Sequence, residues 1–170
     1  SGLGKITLID HDVVEETNLQ RQILYTSEDL GLYKTDVACK RLKILNPDIN
    51  VQGYNIRFTK NSIHLMKDVD IIIDATDNFE SRSLINKISL LLKKPLVMGA
   101  AIKMQGQVAV FRNDLCDMPC YNCLYDDIED EASSCIDLGV LSTLTGIIGS
   151  LQATEAIKTL IGFGESLESK

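Results

Sequence analysis

Val69-Asp-Ile-Ile-Ile-Asp74-Ala-Thr-Asp77-Asn78 sets a short β-branched apolar run against an acidic, turn-forming tail. Consecutive apolar residues over so few positions predict a strand buried in a parallel sheet, because a half-buried strand would alternate. The Thr-Asp-Asn turn after it predicts an Asx-type cap and a helix over 79–92. Pro95 then opens a strand at 96–98. Upstream, Lys5-Ile-Thr-Leu-Ile-Asp10 has the same form, a β-branched run closing on an acid. Between the two runs, residues 34–45 place Val37, Ala38, Leu42 and Leu45 on one helical face, and Asn46-Pro47 stops the helix. A weaker strand is expected at 49–54 and another at 107–111. A polar, cysteine-bearing stretch over 112–137 and a long helix over 140–160 follow. This alternation implies an α/β fold with a doubly wound, mostly parallel sheet, whose ligands lie beyond the carboxyl ends of its strands. Asp10, Asp74 and Asp77 occupy such ends. Without internal repeats or a linker, a single domain over 1–170 is expected.

The 170 residues are 45% hydrophobic, enough for one real core. A net charge of −7 opposes the phosphate backbone, so no nucleic-acid partner is expected. The most apolar stretch, 140–151, is too short for a bilayer, and no secretion leader opens the sequence; a cytoplasmic protein with no membrane partner is expected. Five cysteines, an odd number unevenly placed, favour metal or thiol chemistry over a disulfide framework.

Asp10 at a strand end suits a ribose, whose two hydroxyls can donate to one carboxylate, although for Asp10 or Asp12 alone a residue that merely starts a turn is the favoured reading. Asn18-Leu-Gln-Arg21-Gln22 gathers two amides and a guanidinium in a segment with no helix or strand period. Arg21 offers a planar charged fork for polyphosphate and Lys34 a compact cation at the start of the next helix; two solvated surface charges are the bland alternative. Asp77 suits Mg²⁺, which takes one or two carboxylates besides phosphate and water, while Asp77 or Asn78 also suits the helix cap.

The order Leu-Ile-Asp10-His-Asp12, Asn18-Leu-Gln-Arg21-Gln22, Lys34, Asp74-Ala-Thr-Asp77-Asn78, Gly99-Ala-Ala, Gly106-Gln107, Pro119-Cys120-Tyr-Asn-Cys123, Cys135, Gly139-Val140 and Gly149-Ser-Leu-Gln152-Ala resembles the ThiF/MoeB/HesA family, relatives of the ubiquitin-activating enzymes. The resemblance covers essentially the whole chain. It implies a Rossmann-like fold and an ATP-dependent enzyme that adenylates the C-terminal glycine of a ubiquitin-like sulfur-carrier protein ending in Gly-Gly, working as a homodimer. Asp10 would contact the ribose; Asn18, Arg21 and Lys34 the phosphates; Asp77 the Mg²⁺; Asp12, Gln22 and Asn78 would complete the nucleotide contacts. A terminal carboxylate is ionised at neutral pH and needs no general base, so Arg21, Lys34 and Mg²⁺ would act by positioning and charge neutralisation. His11 and His64 receive no role. Gly99-Ala-Ala-Ile-Lys-Met-Gln-Gly-Gln leans toward the molybdopterin-synthase-activating, MoeB-like type over the thiamin type.

Cys120-Tyr-Asn-Cys123 is half of a tetrahedral zinc site or a redox pair; Cys116 or Cys135 would be an improvised further ligand. Cys135 matches a position that carries a reactive thiol in some relatives, and a buried inert thiol is the alternative. The family's glycine-rich phosphate loop has no counterpart, since Ser1-Gly-Leu-Gly4 matches a later turn. The expectation is thus a fragment without the first strand and phosphate-loop helix, and a poor catalyst by itself. Two rival readings are a fragment of an NAD-dependent dehydrogenase and a non-catalytic module that docks the carrier.

Overall fold

Strand β1, Lys5–Ile9, pairs in parallel with β2, Asn50–Tyr54, from Lys5 opposite Asn50 to Ile9 opposite Tyr54. The computed structural model describes residues 2–125 and 139–168. They fall into two compact units, Ser1–Asn61 and Ser62–Lys170.

In the first unit the crossover from β1 to β2 contains a short helix α1, Glu16–Leu19, a 3₁₀ turn, Ser27–Asp29, and helix α2, Lys34–Leu45. Val37 and Ala38 are buried, and α2 lies so close to β2 that a Cβ on Gly53 would stand 2.9 Å from Cys39 Sγ. Asn46 ends the helix in an extended conformation, which Pro47 enforces. The 3₁₀ turn opens with a capping box between Thr26 and Asp29, and Arg41 of α2 clamps Asp29 Oδ2 at 2.6 Å. The Thr26 amide, more than any other neighbour, holds the Asp29 carboxyl below the usual range.

In the second unit β3, Ile72–Asp74, pairs in parallel with β4, Leu96–Ile102, which pairs antiparallel with β5, Gln105–Phe111. Helix α3, Phe79–Leu92, joins β3 to β4. A short helix α4, Tyr121–Leu124, and the long helix α5, Ser142–Ile161, come later. Val97, Val110 and Ala156 form a buried cluster, with Ile71, Val108 and Leu167 packed on it. Helix α5 lies tightly on β4 and β5: a Cβ on Gly106 would stand 2.5 Å from Ile148 Cδ1, and one on Gly99 2.3 Å from the Gln152 amide.

The α/β class and the parallel pairing are as expected, with three differences in detail. The strands are hydrogen-bonded as two sheets, one in each unit, instead of one. Strand β3 begins at Ile72, where the first ladder bond to Pro95 O forms, and not at 69. Its Ile73 is exposed while Ile72 and Asp74 are buried, so it is buried on one face. Finally β4 and β5 form a hairpin through Lys103, whose φ is 53°. Backbone bonds from Lys103 N to Gly139 O at 2.9 Å and from Leu141 N to Lys103 O at 2.8 Å hold that turn.

Candidate functional site

Beyond the end of β1 the chain is laced to the start of α2. Val14 N donates to Leu32 O and Gly31 N to Val14 O, both at 2.9 Å, and Lys34 N donates to Asp12 O at 3.0 Å. Asp10 Oδ1 accepts from Asp12 N at 2.9 Å, an Asx turn that leaves its second oxygen for a ligand hydroxyl. Lys34 is only 8% exposed, and its Nζ lies 3.0 Å from Asp12 Oδ2. An ammonium has three donors, and among the described residues Asp12 is the partner of one. A buried cation at a helix N-terminus is opposed by both desolvation and the helix dipole. Its retention there is understandable if an anion takes the remaining donors. Tyr25 borders the same end of the strand. Burial first, then the Asp10 and Asp29 charges, push its hydroxyl up to about 12.

The segment carrying Asn18, Arg21 and Gln22 folds on itself. Arg21 N and Gln22 N donate to Asn18 O at 3.1 and 2.9 Å, and Arg21 Nη1 donates to Thr17 O at 3.1 Å. Gln22 Oε1 is buried and accepts no hydrogen bond among the described residues. Asp10, His11 and Asp12 bring three ligand atoms within 4.8 Å, the one such group among the described residues. Lys34 already occupies Asp12, so a divalent ion there would compete with a built-in cation. Cys116 joins no such group among the described residues.

In the second unit Asp74 is buried and its Oδ1 accepts from Thr76 N at 2.8 Å and Thr76 Oγ1 at 2.7 Å. Burial pushes its carboxyl above the usual range despite these bonds. Asn78 caps α3 through Ser81 N at 2.8 Å, so of the two candidates for the cap Asn78 takes it. Asp77 is exposed, bonded by Asn78 Nδ2 at 3.3 Å, and free to offer carboxylate oxygen to Mg²⁺.

Cys120 Sγ and Cys123 Sγ are 3.6 Å apart. Two sulfurs of a tetrahedral zinc site with bonds of about 2.3 Å stand about 3.8 Å apart, so the pair fits two of four corners. Burial pushes the Cys120 thiol up, but hydrogen bonds from the Asn86 amide and Cys123 outweigh it and leave the thiol below its ordinary range. Cys135 lies outside the described residues.

Three side chains to which the sequence assigned no role hold these pieces. Arg82 donates through Nη2 to Thr76 O at 2.6 Å, fixing the turn before Asp77. Gln152 Nε2 donates to Asp74 O at 2.7 Å, from α5. Asn86, fully buried, reaches the Cys120 turn. Helix α3 also carries Glu80, Ser81, Ser83 and Lys87, so no local pattern sets Arg82 and Asn86 apart.

The sequence pattern that defines the ThiF family matches residues 1–170. A "Sulfur carrier protein adenylyltransferase" of Thermus thermophilus is 43% identical over 98% of the chain and 64% of its own length. A "Probable molybdopterin-synthase adenylyltransferase" of Porphyra purpurea is 45% identical over 96% of the chain and 43% of its own length. The chain thus spans less than two thirds of the relatives it matches. Among solved structures, MccB of E. coli with ATP superposes with a TM-score of 0.82 over 98% of this chain and 51% of that one, at 24% identity.

Proposed function

The chain belongs to the ThiF family, and from that premise we propose that it serves in ATP-dependent adenylation of a ubiquitin-like sulfur-carrier protein. The carrier's C-terminal glycine carboxylate oxygen attacks the α-phosphorus of ATP. The bond from that phosphorus to the bridging oxygen breaks, and pyrophosphate leaves with the electron pair. The observation that carries this reading is Lys34, a buried ammonium beyond a strand end with donors to spare. Asp10 suits the ribose; Asn18, Arg21 and Lys34 suit the phosphates, and Asp12, Gln22 and Asn78 are the further candidates for nucleotide contacts. Asp77 suits Mg²⁺, which would neutralise phosphate charge. Two relatives named as adenylyltransferases, and the structural neighbour MccB solved with ATP, support the nucleotide.

The family pattern spans both units, which supports one adenylating domain over 1–170. The molybdopterin-type carrier is favoured over the thiamin type by the 99–107 segment and by the name of one relative. A cavity of about 800 Å³ beside exposed Ile23, Ile44 and Leu45 supports a homodimer face on the first unit. Cys120 and Cys123 suit zinc, and Cys135 remains the candidate for a reactive thiol. No helix among the described residues is long and apolar enough to cross a membrane.

The test is exchange of labelled pyrophosphate into ATP, with each carrier type, by the full-length protein and by Lys34→Ala. Carrier-dependent exchange that Lys34→Ala reduces at least tenfold is expected, with an acyl-adenylate detected by mass. Carrier binding without exchange would overturn adenylation in favour of a docking module, and a preference for NAD over ATP would favour a dehydrogenase.

A further inference from the structure

We propose that Asn86 is a positioning residue for Cys120, aiming its sulfur at a soft, thiophilic divalent cation shared with Cys123. The inference rests on the reading that these two cysteines ligate a metal. Asn86 is 0% exposed on α3, where Ile85 and Ile88 are its buried neighbours, so an apolar side chain would be the ordinary occupant. Burying an amide is costly unless its bonds are made. Every bond Asn86 makes points toward the cysteine turn or toward the residues that brace it. Its Nδ2 lies 3.6 Å from Cys120 Sγ and 3.3 Å from Asn122 Oδ1. Its Oδ1 accepts from Tyr121 N at 3.3 Å, the peptide N–H inside the Cys-x-x-Cys turn.

The same oxygen accepts from Asn113 Nδ2 at 3.3 Å. Asn113 Nδ2 also donates to Ser89 Oγ at 2.9 Å, and Ser89 Oγ donates to Lys94 O at 2.6 Å. The chain of polar groups therefore starts on the backbone at the end of α3 and finishes on a sulfur. One amide fixes both the backbone of the turn and the direction of a ligand lone pair. Groups that orient ligands from the layer behind them typically change metal affinity 10- to 100-fold when altered. Thiolate pairs select soft divalent ions such as zinc, for which cobalt is a coloured substitute.

The experiment is titration of the full chain with Co²⁺, followed through the thiolate-to-cobalt charge-transfer band and confirmed by zinc competition. Asn86→Asp keeps the shape and the acceptor for Tyr121 N but removes the N–H aimed at sulfur; Asn86→Ala removes both. Affinity is expected to fall about tenfold or more in each, and the band to move to lower energy as the sulfur loses its hydrogen bond. Ile88→Val, a buried α3 residue outside this polar chain, loosens the same helix without touching sulfur and should bind as the wild type does. Equal affinity and an unmoved band in Asn86→Asp overturn the proposal, as does an equal loss in Ile88→Val. A wild-type chain with no charge-transfer band removes the metal reading itself, and the inference with it.

Discussion

Gln152 Nε2 donates to Asp74 O across 2.7 Å, and its side chain lies in the space a Cβ on Gly99 would need. The missing side chain of one residue thus makes room for the amide that holds the carbonyl before the Asp77 turn. Gly99→Ala should cost about 1–3 kcal/mol by overpacking. Gln152→Ala should relieve part of that cost, so the double variant is expected to be less destabilised than the sum of the two. Urea unfolding in a double-mutant cycle measures the coupling, and additivity would contradict the steric account.

Asn78 and Asp77 are adjacent but do different work. Asn78→Ala removes the cap of α3 and should cost about 1 kcal/mol. Asp77→Ala touches an exposed carboxylate and should leave stability within about 0.5 kcal/mol. Calorimetric titration with ATP, with and without Mg²⁺, is expected to lose its metal dependence in Asp77→Ala alone.

Lys34 and Asp12 should separate stability from binding. Asp12→Asn leaves a buried ammonium facing a neutral amide and should cost about 1.5–3 kcal/mol. Lys34→Met replaces the charge by an apolar chain of similar volume and is expected to keep or raise the melting temperature. ATP affinity in the full-length protein should nevertheless fall in Lys34→Met, and unchanged affinity would remove Lys34 from the phosphate site.

Tyr25 makes the fold sensitive to alkali. Its folded value, about 12, lies above the ordinary 10, so the folded chain holds this proton where the unfolded chain gives it up. Stability linked to Tyr25 is complete below pH 10 and is lost as pH rises through 10 toward about 12. Tyr25→Phe should unfold with a shallower pH dependence in that window, seen in melts monitored by circular dichroism.

The sequence carries the two main helices of the crossovers plainly. Residues 34–45 and 79–92 have the apolar period, the Asn46-Pro47 stop and the Asn78 cap, and the helices run Lys34–Leu45 and Phe79–Leu92. The β4–β5 hairpin is illegible because Lys103 adopts a left-handed φ without glycine or asparagine to announce it. The place of Asp10 just past the end of β1 is legible in the sequence. Gln152 and Asn86 are not, because their partners, a carbonyl 78 residues away and a sulfur 34 away, leave no local pattern. The two-sheet pairing is equally silent, since a strand's apolar run does not state which neighbour it will meet.

The contrast between the hairpin and the Gln152 bond also sets an order of events in folding. Strands β4 and β5 close through a turn of a few residues, so their pairing carries little loop entropy and can form early. The Gln152 to Asp74 bond closes a span of 78 residues and, on that physics, belongs after the rate-limiting step. Gln152→Ala would then speed unfolding while leaving refolding nearly unchanged. The bond that braces the turn before Asp77 would act as a latch on the lifetime of the folded unit.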